Sequence, residues 1–97
     1  MPDDKTIDLS VLKPFLDQEG RLTQYPAKRG RQLVALEYLA SKFVIGKRYS
    51  EKEINELLAQ WHTFKDWAML RRDLVDSGLI SREGGGGPYW REEKKPD

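Results

Sequence analysis

Residues 67–91 read WAMLRRDLVDSGLISREGGGGPYWR. At about 100° per residue, Trp67, Ala68, Leu70, Leu74 and Val75 fall on one broad face, which predicts an amphipathic helix over 66–77. Arg71 lies inside that apolar arc, while Met69, Arg72, Asp73 and Asp76 face away. Gly78 is the expected stop. Segments 79–83 and 89–92 alternate as short strands and pair across 84–88 as a hairpin. The glycines of that turn permit positive φ without fixing one turn type. A helix followed by a two-stranded hairpin is the closing half of a winged helix. The stretch therefore predicts an α+β, winged-helix-like domain: a short N-terminal helix, three bundled helices and a C-terminal β-hairpin wing.

Upstream of it the pattern is helical. Ser50-Glu51-Lys52-Glu53 fits a capping box, in which the serine hydroxyl accepts from the Glu53 amide and the Glu53 side chain returns to the Ser50 amide. Ile54, Leu57, Leu58 and Trp61 follow at i, i+3, i+4 and i+7, the clearest amphipathic stripe in the chain. Arg48 and Tyr49 read as a very short strand. A further helix is expected over 31–43, with Leu33, Leu36, Leu39, Ala40 and Phe43 on one face. Val34 and Tyr38 fall on its opposite flank and need a second contact, either the N-terminal helix or a partner. Near the N-terminus, Leu9, Val11, Leu12, Phe15 and Leu16 suggest a short helix. Pro14 is tolerated only in a first turn, so this helix is expected to start near Lys13. Residues 1–7 and 93–97 read as flexible tails around one domain over 8–92.

The bulk numbers bound the function. Ninety-seven residues make one domain with one modest core, burying about 60–65% of the unfolded surface. A net charge of +1, with 38% hydrophobic and 34% charged residues, gives no global signal for nucleic acid or membrane. There is no cysteine, which excludes disulfides, thiol catalysis and cysteine-based zinc sites. No apolar run is long enough to be a signal peptide or a membrane span, so a cytoplasmic protein without membrane contact is expected. Charge is uneven along the chain: −3 over residues 1–20, +6 over 21–48, −2 over 49–80 and zero over 81–97.

Catalytic chemistry has little to work with. His62 is the one histidine, and a lone histidine at a helix end reads as a packing or capping residue. Glu51, Glu53, Glu56, Asp73 and Asp76 read as solvated helix faces. The glycine run lacks the strand-to-helix context and the following Lys-Ser/Thr of a phosphate loop. No enzyme activity, cofactor or metal is expected.

The basic segment 21–48 points instead to phosphate contacts. Lys28, Arg29, Arg31 and Arg48, with Arg72 on the last helix and Arg82 and Arg91 on the wing, are the candidate nucleic-acid-binding residues, with duplex DNA as the ligand. One feature opposes this. From Lys65 to Asp76 three bases meet three acids, and acids on a groove-entering helix repel the phosphates. The rival reading is a protein-interaction module on the same scaffold, with Val34, Tyr38, Tyr89 and Trp90 as the interface. Tyr89 and Trp90 are adjacent on a strand and point to opposite faces, so one packs inward and the other is exposed or covered. RNA binding is a third, weaker reading.

Several blocks resemble a small prokaryotic domain family of unknown function that occurs alone or attached to ArsR-like winged-helix regulators. They are Phe15-Leu16-Asp17, Gly20-Arg21-Leu22-Thr23, Pro26-Ala27-Lys28-Arg29, Leu36-Glu37-Tyr38-Leu39 and Arg48 to Asn55. The strongest is Leu70 to Asp76 with Gly78-Leu79-Ile80, Arg82 and Tyr89-Trp90-Arg91. The chain departs from the family pattern after the histidine, where Thr63 and Phe64 replace acidic residues. The resemblance implies a transcription-linked context and implies no ligand or catalytic residue.

Overall fold

The computed structural model describes residues 9–84 and 87–92. The expected tails, 1–7 and 93–97, and Gly85 and Gly86 of the hairpin turn lie outside the described residues. Four helices and a three-stranded antiparallel sheet follow in the order α1 (Leu9–Leu12), a 3₁₀ turn (Lys13–Phe15), α2 (Arg29–Ala40), β1 (Arg48–Tyr49), α3 (Glu51–Trp61), α4 (Trp67–Asp76), β2 (Ser81–Arg82) and β3 (Tyr89–Trp90). None of these helices is long and apolar enough to cross a membrane.

The N-terminal helical turn precedes Pro14 instead of starting at it. α1 ends at Leu12, and Pro14 sits in the first turn of the 3₁₀ segment, where its missing N–H costs no intrahelical bond. Leu12 is fully buried. The chain then runs through residues 16–28 as an irregular arm. Leu22 is the strap in it: its amide donates to Trp61 O at 2.8 Å and its carbonyl accepts from the Thr63 amide at 2.9 Å. It also bridges Leu16 on the other side. An irregular segment is thus sewn to the turn between α3 and α4.

α2 starts two residues earlier and ends three residues sooner than its apolar pattern predicts, because residues 41–43 continue as i→i−3 turns. Its burial is concentrated in its second half, at Ala35, Leu36, Tyr38, Leu39 and Ala40. Leu33, expected on the core face, is 39% exposed, because the first turns of α2 carry no buried residue. Tyr38 is buried instead. The arm covers the second flank of the helix: the Tyr38 hydroxyl donates to Gly20 O at 2.6 Å. Gly20 has φ +81°, and a Cβ there would stand 2.9 Å from that hydroxyl, so both the backbone angle and the space call for glycine.

The capping box of α3 is complete, with Glu53 N–H to Ser50 Oγ at 3.1 Å and Ser50 N–H to Glu53 Oε1 at 2.9 Å. Ile54 and Leu58 face the core. In α4, Leu70 and Leu74 are fully buried, and Gly78 closes the helix at φ +83°. The first turn departs from expectation. Ala68 is exposed and Trp67 is 39% exposed. Trp67 lies over the outward stripe of α3 (Lys52, Asn55, Glu56, Ala59), where an open groove remains; the core has already ended at that level.

The sheet order is β1-β3-β2. Arg48 pairs Trp90 and Tyr49 pairs Tyr89 on one side, while Ser81 pairs Trp90 and Arg82 pairs Tyr89 on the other. The hairpin is shorter than the 79–83 and 89–92 pairing expected, and β1 joins it as a third strand. Cross-strand partners share a face, so Tyr49 and Tyr89 point into the core while Arg48, Trp90 and Ser81 form the outer face.

Candidate nucleic-acid interface

The first turn of α2 meets the middle of α4. Arg29 lays its guanidinium fork on the Asp73 carboxylate, Nη1 to Oδ2 at 2.9 Å and Nη2 to Oδ1 at 3.1 Å. The Tyr25 hydroxyl donates to the same carboxylate. Gln32 braces the pair, accepting from Arg29 Nη1 at 3.0 Å and donating to Pro26 O at 2.8 Å. Asp73 was expected to face solvent beside Arg72. It does not: its side chain is only 20% exposed, because Tyr25 and the start of α2 fold over it. Arg29 holds the Asp73 carboxyl below its ordinary value. Burial, then Asp73, pushes the Tyr25 phenol up.

Around this pair stand three exposed cations, Lys28 at the N-cap of α2, Arg31 one turn in, and Arg72 next to Asp73. None of them forms an ion pair among the described residues. Arg71, on the inner side of α4, donates to Asn55 Oδ1 and lies 3.7 Å from Glu51. It thus pairs with a carboxylate while its stem packs, as its place in the apolar arc predicts.

The wing residues are differently placed. The Arg48 guanidinium lies 4.4 Å from the centre of the Trp90 ring and 3.7 Å from Glu83. The Trp90 indole and the Ser81 hydroxyl both donate to Glu92, at 3.2 and 2.8 Å. Arg91 is half-buried and donates to Phe43 O at 3.1 Å. Arg82 is exposed and without an ion pair. Of the seven candidates, four (Lys28, Arg31, Arg72, Arg82) present unpaired charge, and three (Arg29, Arg48, Arg91) are held by the protein.

The alternative interface does not assemble. Tyr89 is 1% and Tyr38 7% exposed, so both are core residues; Val34 packs half-buried against that core. Tyr38 meets Trp61 edge to face at 6.4 Å, and the Lys42 ammonium sits 4.0 Å from the Trp61 ring centre and 4.5 Å from that of Tyr38. The outward ring of the Tyr89–Trp90 pair is Trp90, covered by Arg48. The large apolar side chains left most exposed are Leu33, Val44, Ile45 and Trp67.

His62 is 4% exposed. Its Nδ1 lies 2.6 Å from Leu58 O and its Nε2 accepts from the Asp66 amide at 2.9 Å. Both ring nitrogens are taken by backbone groups, so the ring fastens the end of α3 to the start of α4 and offers neither a base nor a ligand. Among the described residues no group of His, Asp and Glu is placed to hold a metal ion.

Sequence reasoning missed Tyr25 and Gln32, and misjudged Asp73. Nothing periodic marks Tyr25, because it lies in the irregular arm; a tyrosine before Pro26 carries no signal of its partner. The chain belongs to the family described as uncharacterized protein conserved in bacteria (DUF2087), whose model matches residues 21–91. That span begins at the strap and takes in the Arg29–Asp73 pair, α4 and the sheet. No curated protein and no solved structure matches the chain.

Proposed function

We propose that this chain is a non-enzymatic, transcription-associated module of the cytoplasm that binds duplex DNA through a winged-helix scaffold. The observation carrying the reading is the exposed, unpaired set Lys28, Arg31 and Arg72 around an acid already neutralised from within. The objection from the balanced charge of α4 is thereby reduced: Asp73 is matched by Arg29, and Asp76 is left as the exposed acid beside Arg72. The order of elements, with β1 completing the sheet beside a C-terminal hairpin, supports the winged-helix reading. Arg82 on β2 adds a phosphate contact from the wing. The resemblance to domains attached to ArsR-like regulators supplies the transcriptional context and forms part of the proposal.

A second reading, a protein-docking module, is favoured by one observation: Trp67 stands exposed over the open groove along α3. The two are separated by a salt-titrated binding assay with random duplex DNA, single strands and RNA. Three to four phosphate contacts give a slope of log K against log salt of about −3 for duplex. Absence of duplex binding at about 50 mM salt, where screening is weak, overturns the DNA reading.

A further inference from the structure

Resting on the DNA reading, we propose that Asp73 is an internal stand-in for a backbone phosphate, and that Arg29 exchanges the one for the other when DNA binds. The carboxylate is held as a phosphate would be. It takes two parallel bonds from one guanidinium fork and a third from the Tyr25 hydroxyl, and a planar fork matches carboxylate and phosphate alike.

The two ends of the contact are unequal. Arg29 is exposed, with 52% of its side chain open to solvent, whereas Asp73 is 20% exposed and sits on a helix anchored by Leu70 and Leu74. Arg29 can therefore swing out while Asp73 stays. Losing the contact costs little, because an ion pair with one exposed partner lies near the surface regime. Tyr25 keeps its bond to the carboxylate left behind, so the acid is not orphaned.

Arg29 also stands between the free cations. Lys28 precedes it, Arg31 follows two residues on, and Arg72 adjoins Asp73. A phosphate drawn to those three cations arrives beside the fork. The closed pair keeps the resting surface at three free cations in this region; opening it adds a fourth. The domain thus holds one cation in reserve, released only where an anion replaces the carboxylate. Weak, non-specific anions meet the smaller set.

The test is a double-mutant cycle on the full chain, read by fluorescence anisotropy with a random duplex across a salt series. Thermal melts establish that each variant is folded at the assay temperature. Asp73→Asn is expected to raise duplex affinity about three- to tenfold and to steepen the salt slope by about 0.9, the increment for one more neutralised phosphate. Arg29→Ala alone is expected to weaken binding and flatten the slope by that same increment. The exchange then makes one further demand: Arg29→Ala in the Asp73→Asn background must abolish the whole gain in affinity and slope. If the gain survives without Arg29, Asp73 acts only by repelling DNA and the exchange is overturned. If wild type binds duplex and Arg29→Ala changes neither affinity nor slope, Arg29 never reaches the phosphate and the exchange is equally overturned. If neither wild type nor Asp73→Asn binds duplex at about 50 mM salt, the DNA reading itself falls, and the exchange with it.

Discussion

The first turn of α2 and the outer face of the sheet carry comparable numbers of cations and differ in what surrounds them. Around α2, one acid is turned inward onto Arg29, and Lys28, Arg31 and Arg72 are left unpaired. On the sheet, Arg48 lies on Trp90 beside Glu83, Arg91 is tied to Phe43 O, and Glu92 gathers two donors from the same face. A charge count along the chain makes these regions look like one basic tract extended by a wing. Packing makes one of them a surface with charge to offer and the other a surface whose charge is already matched.

That contrast can be broken at its foundation, with the largest effect. Leu74 lies beneath both regions, next to Asp73, and its carbonyl accepts the amides that lead into β2. Leu74→Ala is expected to cost about 2–4 kcal/mol in denaturant unfolding. A loss under half a kcal/mol would mean that Leu74 is not a shared foundation. The functional side of the contrast comes next. Lys28→Glu with Arg31→Glu should lower duplex affinity about a hundredfold, roughly 2.7 kcal/mol. The same double reversal at Arg48 and Arg82 should cost tenfold or less, since Arg48 is not free. Equal effects would erase the distinction.

Smaller effects sharpen it. Arg91→Ala should destabilise by about 1–2 kcal/mol, because Phe43 O loses a charged donor in a half-buried place. Arg48→Ala, at an exposed ion pair, should stay within about half a kcal/mol. Thermal or denaturant unfolding of the two variants decides whether the sheet's arginines differ as described. The hinge from β1 into α3 offers a control that touches neither charged region: Ser50→Ala should cost about 1 kcal/mol and Lys52→Ala almost nothing.

The smallest effect is in acid. Arg29 holds the folded Asp73 carboxyl below its ordinary value of 3.8, so in the acid range the unfolded chain binds the proton first. Stability from this group is therefore fully present above about pH 4 and is lost as pH falls through the depressed folded value. In paired acid titrations of stability, Asp73→Asn should show a shallower loss than wild type. An identical slope in the two proteins would mean that the pair contributes nothing to folding.

What the sequence revealed followed local rules. Ser50 with Glu53, the stripe from Ile54 to Trp61, Leu70 and Leu74, the stop at Gly78 and the inward–outward split of Tyr89 and Trp90 all depend on neighbours a few residues away. What it concealed depended on the arm. Tyr38 looked like an open flank because Gly20, its cover, lies in a stretch with no period. Asp73 looked solvated because Tyr25 and Arg29 reach it across nearly half the chain. Trp67 looked buried because helical phase tells which way a residue points, and not whether the core still extends to that level. The candidate cations were legible as residue types, whereas their availability was not, since pairing is a property of the fold.

The strap at Leu22 has a consequence of its own. Its amide and carbonyl are bonded to Trp61 and Thr63, and its side chain is fully buried. Breaking those bonds means lifting the arm off the junction of α3 and α4, which no local fraying achieves. In hydrogen–deuterium exchange the amides of Leu22 and Thr63 should therefore rank with those of Leu70 and Leu74 among the slowest, opening only as the whole domain opens. A segment without regular secondary structure then belongs to the last cooperative unit to come apart.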